Sequence, residues 1–364
     1  NRYLLVASTV SALQRGLRAA QSPGDSLLYR PRYRAAVSSL PAQQQGWMHV
    51  RLPAAIAAAG LAQPQSSAEP ADSLIGLTAH PRRLVLQASL VRSRHPEHAT
   101  RRSPGPAASP LPLDLLPANV TALAVGQNLA RVGRMLEGAG AAYSQLPFPF
   151  AQLKRDWATP FGSAAAQILP TWLTSTYGLA HTAAGDTILL AEHTASASAA
   201  VAQLDTLAMT FALTVTPLVV QQQPVTAWTR LKTQLQETRD RQGRVQRETV
   251  VETQVVALHT VYQGYDLWAT SIAALTETLG TSGEKLVEQS QFQQALKDLD
   301  ESDDYIYLDS PALLSELSGQ LPLLDLLDIA GQPLLDRLDT VILEPLETPA
   351  VGNRAQATLR FTPA

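Results

Sequence analysis

Three histidines are the side chains in this sequence best suited to acid–base chemistry. His181, His193 and His259 lie in or beside segments with a β-strand pattern. Near neutral pH an imidazole exchanges a proton readily, and beside a hydroxyl and a carboxylate it serves as the base of a hydrolase triad. No glycine–serine motif of the hydrolase type accompanies these histidines. We therefore expect structural roles for them, and an unrecognised hydrolase that uses one of them is the least favoured function.

Two clusters have the residue types of metal sites without the required geometry. The sequence HPEH at 95–98 offers two imidazoles and a carboxylate, but Pro96 prevents the helix that would hold them in place. The acidic run DLDESDD at 298–304 has Asp303 and Asp309 where a calcium loop requires glycine and glutamate. The chain has no cysteine, which excludes thiolate ligands and cysteine nucleophiles. We predict no catalytic residue, no metal site and no cofactor.

The arginine content of the first part of the chain is the most unusual feature. Residues 1–111 contain 13 Arg, no Lys and 4 acidic residues, a net charge of +9, whereas residues 112–364 carry −12. Eight of these arginines form a predicted docking face for an acidic partner protein, for anionic lipid headgroups or for the acidic part of the chain itself. They are Arg30, Arg32, Arg34, Arg51, Arg82, Arg83, Arg92 and Arg94. No aromatic residues are interleaved for base stacking, so nucleic acid is not a predicted partner.

The composition is that of a globular protein of about two domains. The 364 residues are 45% hydrophobic and 16% charged. The most apolar stretch, 207–220, is shorter than the roughly 18 residues of a membrane span and contains Pro217. We interpret it as a helix that runs into a strand.

A repeated pattern organises the chain and positions these residues. Five blocks near its start recur in the same order near its end, at offsets between 258 and 269. The paired blocks are 3–17 with 265–279, 33–40 with 292–299, 47–56 with 305–314, 72–75 with 339–342, and 87–91 with 356–360. We interpret the pattern as a tandem duplication. Residues 112–364 form a complete second unit, 98–111 a linker rich in Pro, Ser and Arg, and 1–97 the C-terminal half of a first unit whose front lies upstream.

The expected elements define an α+β fold class. Alternating, β-branched segments predict strands at 47–50, 119–126, 186–193, 212–220, 225–235, 250–262 and 305–308, and an antiparallel pair ending each unit. Helical spacing predicts helices at 127–138, within 162–178, at 196–212, at 33–40 and at 292–299. Ser or Thr is expected to cap a helix after Ala7 and after Ala269. The prediction is of tandem duplicated units with mostly antiparallel sheets and packed helices, the first incomplete at its N-terminus.

Several of these segments together resemble a known bacterial family. The carriers are RYLLVASTVSALQRGL, SLLYRPRYRAAVSSLPAQQQGWMHVRLPAAI, DLLPANVTALAVGQNLARV, DTILLAEHTASASAAVAQLDTLA and GYDLWATSIAAL with LVEQSQFQQAL. They resemble the family known as domain of unknown function 3352, especially its cyanobacterial members, over most of the chain. The resemblance implies an N-terminal membrane anchor ahead of an extracytoplasmic region, in the periplasm or thylakoid lumen. It implies no catalytic residue.

Three functions remain as hypotheses. The first is a non-enzymatic, membrane-tethered structural or assembly protein that associates with a larger membrane protein complex, a photosynthetic complex being one candidate. The second is a module that binds a lipid, pigment or peptide in an apolar cleft between the repeats. The third is the hydrolase. The duplication, the linker and the uneven charge favour the first, and the sequence leaves the oligomeric state open.

Overall fold

The computed structural model describes residues 7, 9–22, 24, 26–30, 33–34, 37–38, 44–51, 72–91, 111–128, 175–239, 245–281, 283–299, 304–309, 336–346 and 354–362. Within these ranges thirteen strands form one sheet in which every neighbouring pair is antiparallel. The strands are β1 (Gly46–Arg51), β2 (Asp72–His80), β3 (Arg83–Val91), β4 (Val120–Gln127), β5 (Thr176–Thr182), β6 (Thr187–Glu192), β7 (Thr214–Val220), β8 (Gln223–Arg239), β9 (Val245–Tyr262), β10 (Tyr265–Ala269), β11 (Tyr305–Asp309), β12 (Leu338–Leu346) and β13 (Arg354–Phe361). Their order across the sheet is β1-β2-β3-β13-β12-β11-β4-β5-β6-β10-β9-β8-β7.

The predicted α+β fold class is wrong. In the described part of the chain the sheet dominates, and the α-helices are four short ones: α1 (Val10–Gln21), α2 (Ala195–Thr210), α3 (Ile272–Leu279) and α4 (Ser290–Leu296). The strands of the two predicted units do not form separate sheets, because β3 pairs with β13 and joins them. The helices predicted at 127–138 and within 162–178 lie almost wholly outside the described residues, and the end of the second segment belongs to β5.

The core consists of two layers, one on each face of the central strands. Side chains alternate across a strand, so Leu189 and Trp268 face one layer while Leu190 and Leu267 face the other. On the first face lies α2, with Ala197, Ala200, Leu204 and Ala208 in contact with the sheet. On the second face lie α3 and α4. Because both faces are covered, β6 is buried from Thr187 to Ala191. In this three-layer centre β6 and β10 pair with each other and are covered on both faces.

Two helices begin at the corresponding positions that the repeat predicts. Thr9 caps α1 by accepting a hydrogen bond from the Ala12 N–H at 3.2 Å. Ser271 caps α3 in the same way, from Ala274 at 3.0 Å. A hydroxyl at the N-cap satisfies one of the free N–H groups of the first turn, which is why both helices start there. The predicted Ser or Thr capping is confirmed. The capping residue is the second one after Ala7 and the second one after Ala269.

The strands on the two sides of the β3–β13 contact run in mirrored order. We call β1–β3 the first strand group and β11–β13 the second strand group. Met48 pairs with Ile75, which pairs with Ala88. In the second group the corresponding row is Ile306, Leu343 and Ala357. At the centre Gln87 pairs with Gln356. The register therefore defines a counterpart in one group for each position of the other.

Candidate functional site

His193 lies at the point where the end of β6 meets the start of α2. Its backbone N–H donates a 2.9 Å hydrogen bond to the carbonyl of Gly264, in the tight turn that links β9 to β10. That turn requires a left-handed backbone at Gly264, where φ is +84°. The main chain of His193 is thereby fixed against the rigid centre of the sheet, and the side chain is 30% exposed.

The residues after His193 start a helix that returns a hydroxyl to the imidazole. Thr194 is the N-cap of α2, and its side chain accepts a hydrogen bond from the Ala197 N–H at 3.2 Å. The helix begins at once, so Ser198 lies above the histidine one turn later. The Ser198 Oγ is 3.2 Å from the Nε2 of His193. Ser198 itself is exposed to solvent.

A buried carboxylate contacts the opposite nitrogen of the same ring. Asp266 is the second residue of β10 and pairs with Ala191 of β6, close to the strand end that carries His193. Its Oδ1 lies 2.8 Å from the Nδ1 of His193, and its side chain is 4% exposed. At the neighbouring Tyr265, burial followed by the Glu192 carboxylate raises the pKa of the phenol, which stays protonated at neutral pH.

Ser198, His193 and Asp266 therefore form a hydrogen-bonded series of hydroxyl, imidazole and carboxylate. With the Nδ1 proton donated to Asp266, the Nε2 lone pair is left to accept the Ser198 hydroxyl proton. The groups are bonded in the sense of a serine hydrolase triad, with the carboxylate buried and the hydroxyl exposed. Chemically this arrangement raises the nucleophilicity of the serine oxygen.

His259 is held in a different environment, in the aromatic part of the core. Its Nε2 is 2.8 Å from the Oδ1 of Asp205 on α2, and the Nε1 of Trp228 donates to the same oxygen at 2.7 Å. The imidazole stacks on Trp268, with 4.4 Å between ring centroids. A carboxylate that takes two N–H donors ties α2 to β8 and β9. This cluster explains His259 as a packing residue, in agreement with the structural role expected for it.

The structure does not bring the three histidines together. His181 is in β5, where it pairs with Ala122 and Thr187, and its carbonyl accepts a 3.3 Å hydrogen bond from the Thr121 hydroxyl. Of the three, His193 has a hydroxyl and a carboxylate on its ring. The sequence analysis missed Ser198 and Asp266. Thr194, directly after His193, could have indicated a helix start that places Ser198 one turn later, near the imidazole. Nothing near Asp266 in the sequence indicates that its carboxylate contacts His193.

The predicted arginine face is spread out where the structure describes it. Arg51 ends β1 opposite Asp72, at the far end of β2 from the turn that holds Arg82 and Arg83. Eight residues at roughly 3.3 Å each separate the two ends of that strand. Arg30 and Arg34 are exposed, and Arg32, Arg92 and Arg94 lie outside the described residues. The docking face stays a prediction.

Arg83 has a partner in the acidic part of the chain. Its Nη1 lies 2.8 Å from the Oδ1 of Asp298, and the Nε of Arg360 lies 2.8 Å from the other oxygen. Asp298 begins the acidic run 298–304, in which Asp304 accepts a 3.0 Å hydrogen bond from the Gln127 N–H. These two carboxylates therefore bind the protein itself. The HPEH sequence at 95–98 lies outside the described residues.

A small cavity lies beside Trp268, at the edge of the aromatic core. It is a shallow hollow that encloses no space for a water molecule. It is lined by Thr187, Leu189, Ala257, Trp268, Ala269 and Thr270. Ligand pockets typically have roughly 300–1,000 Å³, so this cavity is too small for a lipid or a pigment.

These observations define a mainly antiparallel β protein with a single wide sheet and one hydroxyl–imidazole–carboxylate series at its surface. The chain belongs to the family described as "Protein of unknown function (DUF3352)", whose model matches residues 1–343. The resemblance seen in the sequence is thereby confirmed. No curated protein and no solved structure matches the chain significantly. In the described part of the chain, every helix is too short or too polar to cross a membrane.

Proposed function

We propose that this protein is an assembly protein that holds a partner protein by adding one of the partner's strands to the outer edge of β1. An extracytoplasmic location, a membrane tether and association with a larger membrane complex are part of the proposal, and they rest on the family resemblance. Among the described residues β1 has a neighbouring strand on one side only, whereas its counterpart β11 has one on each side, and this difference is the observation that carries the docking mode.

The mirrored register shows where the two groups differ. One row of paired residues runs through both groups: Trp47, Gly76, Gln87, Gln356 and Glu344. Beyond the second group, Tyr305 of β11 pairs with Val125 of β4. At the second end of this row β4 lies beside β11. At the first end, among the residues that the structure describes, β1 pairs with β2 alone. By the duplication that we infer from this register and from the repeated blocks 47–56 with 305–314 and 87–91 with 356–360, the edge of β1 away from β2 corresponds to the edge of β11 that receives β4.

The side chains of β1 support a docking role. Trp47 and Met48 are each 56% exposed, whereas Tyr305, the counterpart of Trp47, is 7% exposed. Large apolar side chains on an open edge strand promote pairing with another chain, and proteins usually protect such strands with proline or lysine. The strand at the other edge of the sheet, β7, contains Pro217 and contacts α2. The sequence of β1, GWMHVR, contains neither proline nor lysine.

The counterpart strand indicates what kind of strand would fit. In β4, the residues opposite Tyr305 to Leu308 are Val125, Ala124, Leu123 and Ala122. We therefore expect an uncharged partner strand of small and aliphatic residues. A second copy of this chain fits less well, because its own first part carries +9 and would repel the same charge.

The test combines extraction from the source membrane with variants of the two sheet edges. Met48→Lys places a charge on the open edge at an exposed position and should reduce the recovery of co-purifying partner at least tenfold. Val219→Lys on β7 is the matched control, since Val219 is 74% exposed on the opposite edge. A synthetic peptide with the β4 sequence NVTALAVGQ should bind wild-type protein and not Met48→Lys. Equal recovery for both variants, or capture of further copies of this chain alone, would contradict the proposal.

A further inference from the structure

We infer that Ser198 is a reactive nucleophile, activated by His193 and oriented through Asp266, and that this site hydrolyses carboxylic esters that reach it from solvent. The inference is independent of the docking role of β1, because the site lies at the other half of the sheet. It depends on two short contacts, 3.2 Å from Ser198 Oγ to His193 Nε2 and 2.8 Å from His193 Nδ1 to Asp266 Oδ1.

The three groups are positioned by different elements that are fixed independently. His193 is held by its backbone hydrogen bond to Gly264, Asp266 by the β6–β10 pairing, and Ser198 by the capped start of α2. Catalytic groups must be held close to the productive geometry by their surroundings. Because strand pairing and a helix cap fix this series, the hydroxyl remains near the imidazole without a bound ligand.

The exposure of the side chains increases from the carboxylate to the imidazole to the hydroxyl, as it does in a serine hydrolase triad. The Asp266 side chain is 4% exposed, that of His193 is 30% exposed, and Ser198 is open to solvent. A buried carboxylate keeps the imidazole in the tautomer with its proton on Nδ1, and stabilises the positive charge that forms when Nε2 takes a proton. The exposed serine is the group that a substrate can approach.

The reaction follows from the direction of the hydrogen bonds. The Ser198 oxygen attacks the ester carbonyl carbon while its proton passes to His193 Nε2. The carbon–oxygen bond of the ester breaks, and the departing alkoxide takes that proton and leaves as an alcohol. Water then attacks the acyl-serine, giving up a proton to His193, and the carboxylic acid leaves as Ser198 recovers its proton. The sum is one ester and one water to one acid and one alcohol.

The substrate class follows from the shape of the surface. Ser198 is exposed on the helix and does not lie at the bottom of a pocket. Substrates are therefore selected by how easily they reach the serine and by how reactive their carbonyl is, and not by the fit of the acyl group to a pocket. An alkoxide leaves far more readily than the nitrogen anion of an unprotonated peptide bond, which favours esters over peptides at such an open site. Small, activated esters are the probes of choice.

The direct test is covalent labelling of the full chain with a fluorophosphonate probe, followed by peptide mass spectrometry. The serine oxygen replaces fluoride on phosphorus, and the proton leaves with the fluoride. We expect labelling at Ser198, loss of labelling in Ser198→Ala, and a rate at least about a hundredfold lower in His193→Gln, since a positioned base contributes roughly 10²–10⁴-fold. Ser196→Ala is the matched control, because Ser196 is also exposed and bonds to Thr194 at 2.9 Å. It should label normally.

Two further measurements keep the inference open to refutation. Hydrolysis of p-nitrophenyl acetate should fall in parallel with labelling in His193→Gln and in Asp266→Asn, while circular dichroism shows that the variants are folded. Should Asp266→Asn fail to fold, His193→Gln and Ser198→Ala decide, because both side chains reach the surface. Absence of labelling at Ser198, equal labelling of Ser196 and Ser198, or an unchanged rate in His193→Gln would overturn the assignment.

Discussion

In the second strand group β11 lies between β4 and β12, whereas in the first group β1 has β2 as its neighbour in the described part of the chain. The effect on exposure is large: Tyr305 is 7% exposed, and its counterpart Trp47 is 56% exposed. The hydrogen-bond register is the same in both groups. The comparison shows that register alone does not create a core, which requires a further strand or helix to cover it.

The helices α1 and α3 differ in the same way. They begin at corresponding positions, after Thr9 and Ser271. In α3 the residues Ala274, Leu275, Thr278 and Leu279 are buried, but α1 has no buried residue and leaves Leu17 47% exposed. The apolar face of α1 therefore packs against no other element strongly enough to be buried, among the described residues. The α1 segment thus has the same apolar spacing as α3, but among the described residues it lacks the neighbouring elements that bury the apolar residues of α3.

The centre of the mirrored arrangement is polar, and the two central glutamines have different hydrogen-bond partners in the two groups. Gln87 Nε2 donates to Gln356 Oε1 at 2.6 Å, and Gln356 Nε2 donates to the buried Glu344 at 2.6 Å. Opposite Gln87 in the first group stands Gly76 in place of a carboxylate. Gln44 fills the space above that glycine and donates to Gln87 Oε1 at 3.0 Å. A side chain from outside the strand thus replaces the one that Gly76 lacks.

The largest expected difference between the groups is in the helices. Leu275→Ala should lower the free energy of unfolding by about 2–5 kcal/mol, because the leucine is fully buried and the cavity cannot collapse between α3 and the sheet. Leu13→Ala, at the corresponding position of α1, should cost less than about 1 kcal/mol. Urea denaturation of both variants is the measurement. Equal losses would show that α1 has a cover and that the comparison fails.

The second prediction concerns the polar centre. Gln356→Leu should cost about 1.5–3 kcal/mol, because the buried Glu344 carboxylate loses a hydrogen-bond donor. Gln87→Leu removes two hydrogen bonds between neutral amides, the one to Gln356 and the one from Gln44, and should cost about 1–2 kcal/mol. Denaturation at neutral pH compares them directly. If Gln87→Leu were the more damaging of the two, the charge on Glu344 would not be the reason for the asymmetry.

Most strands could be predicted from the sequence, because their alternation is local. The segments WMHV, NVTALAVG, DTILLAEH and YIYL all fall on observed strands. The wide sheet could not be predicted, since the β3–β13 contact joins residues about 270 positions apart and leaves no local pattern. For this reason the fold class was wrong although individual elements were right. β5 was missed, because its glycine and histidine interrupt the apolar alternation.

The candidate site illustrates the same limit. His193 could be singled out by residue type, and Thr194 by its capping position. Asp266 reaches His193 through the pairing of β6 with β10, which no spacing in the sequence records. The three histidines also looked equivalent in the sequence, because burial, which separates the packed His259 from the half-exposed His193, is a property of the assembled layers.

A pH titration should act on the second group through its tyrosines. Burial raises the pKa of Tyr305, and burial followed by Asp309 and Asp339 raises the pKa of Tyr307 above the ordinary 10.0. A raised pKa in the folded state means that stability is complete below pH 10 and is lost as the pH rises further. The loss is at most about 1.4 kcal/mol per pH unit for each tyrosine. Tyr307→Phe should remove one such contribution, as measured by urea denaturation at pH 9 and pH 11. An unchanged pH dependence in Tyr307→Phe would contradict the assignment.

The smallest expected effect concerns the ion pair that links the groups near the acidic run. Arg83 and Arg360 share Asp298, and the Arg83 side chain is 39% exposed while Asp298 is 7% exposed. Arg83→Gln should cost about 0.5 kcal/mol, reduced for the exposure of the guanidinium, because Arg360 still neutralises the carboxylate. Arg360→Gln should cost more, since its side chain is 21% exposed and its bond to Asp298 is better shielded from water. Raising the salt concentration should reduce the Arg83 effect first. A larger loss in Arg83→Gln than in Arg360→Gln would mean that the turn between β2 and β3 depends on this contact more than the exposure of Arg83 indicates.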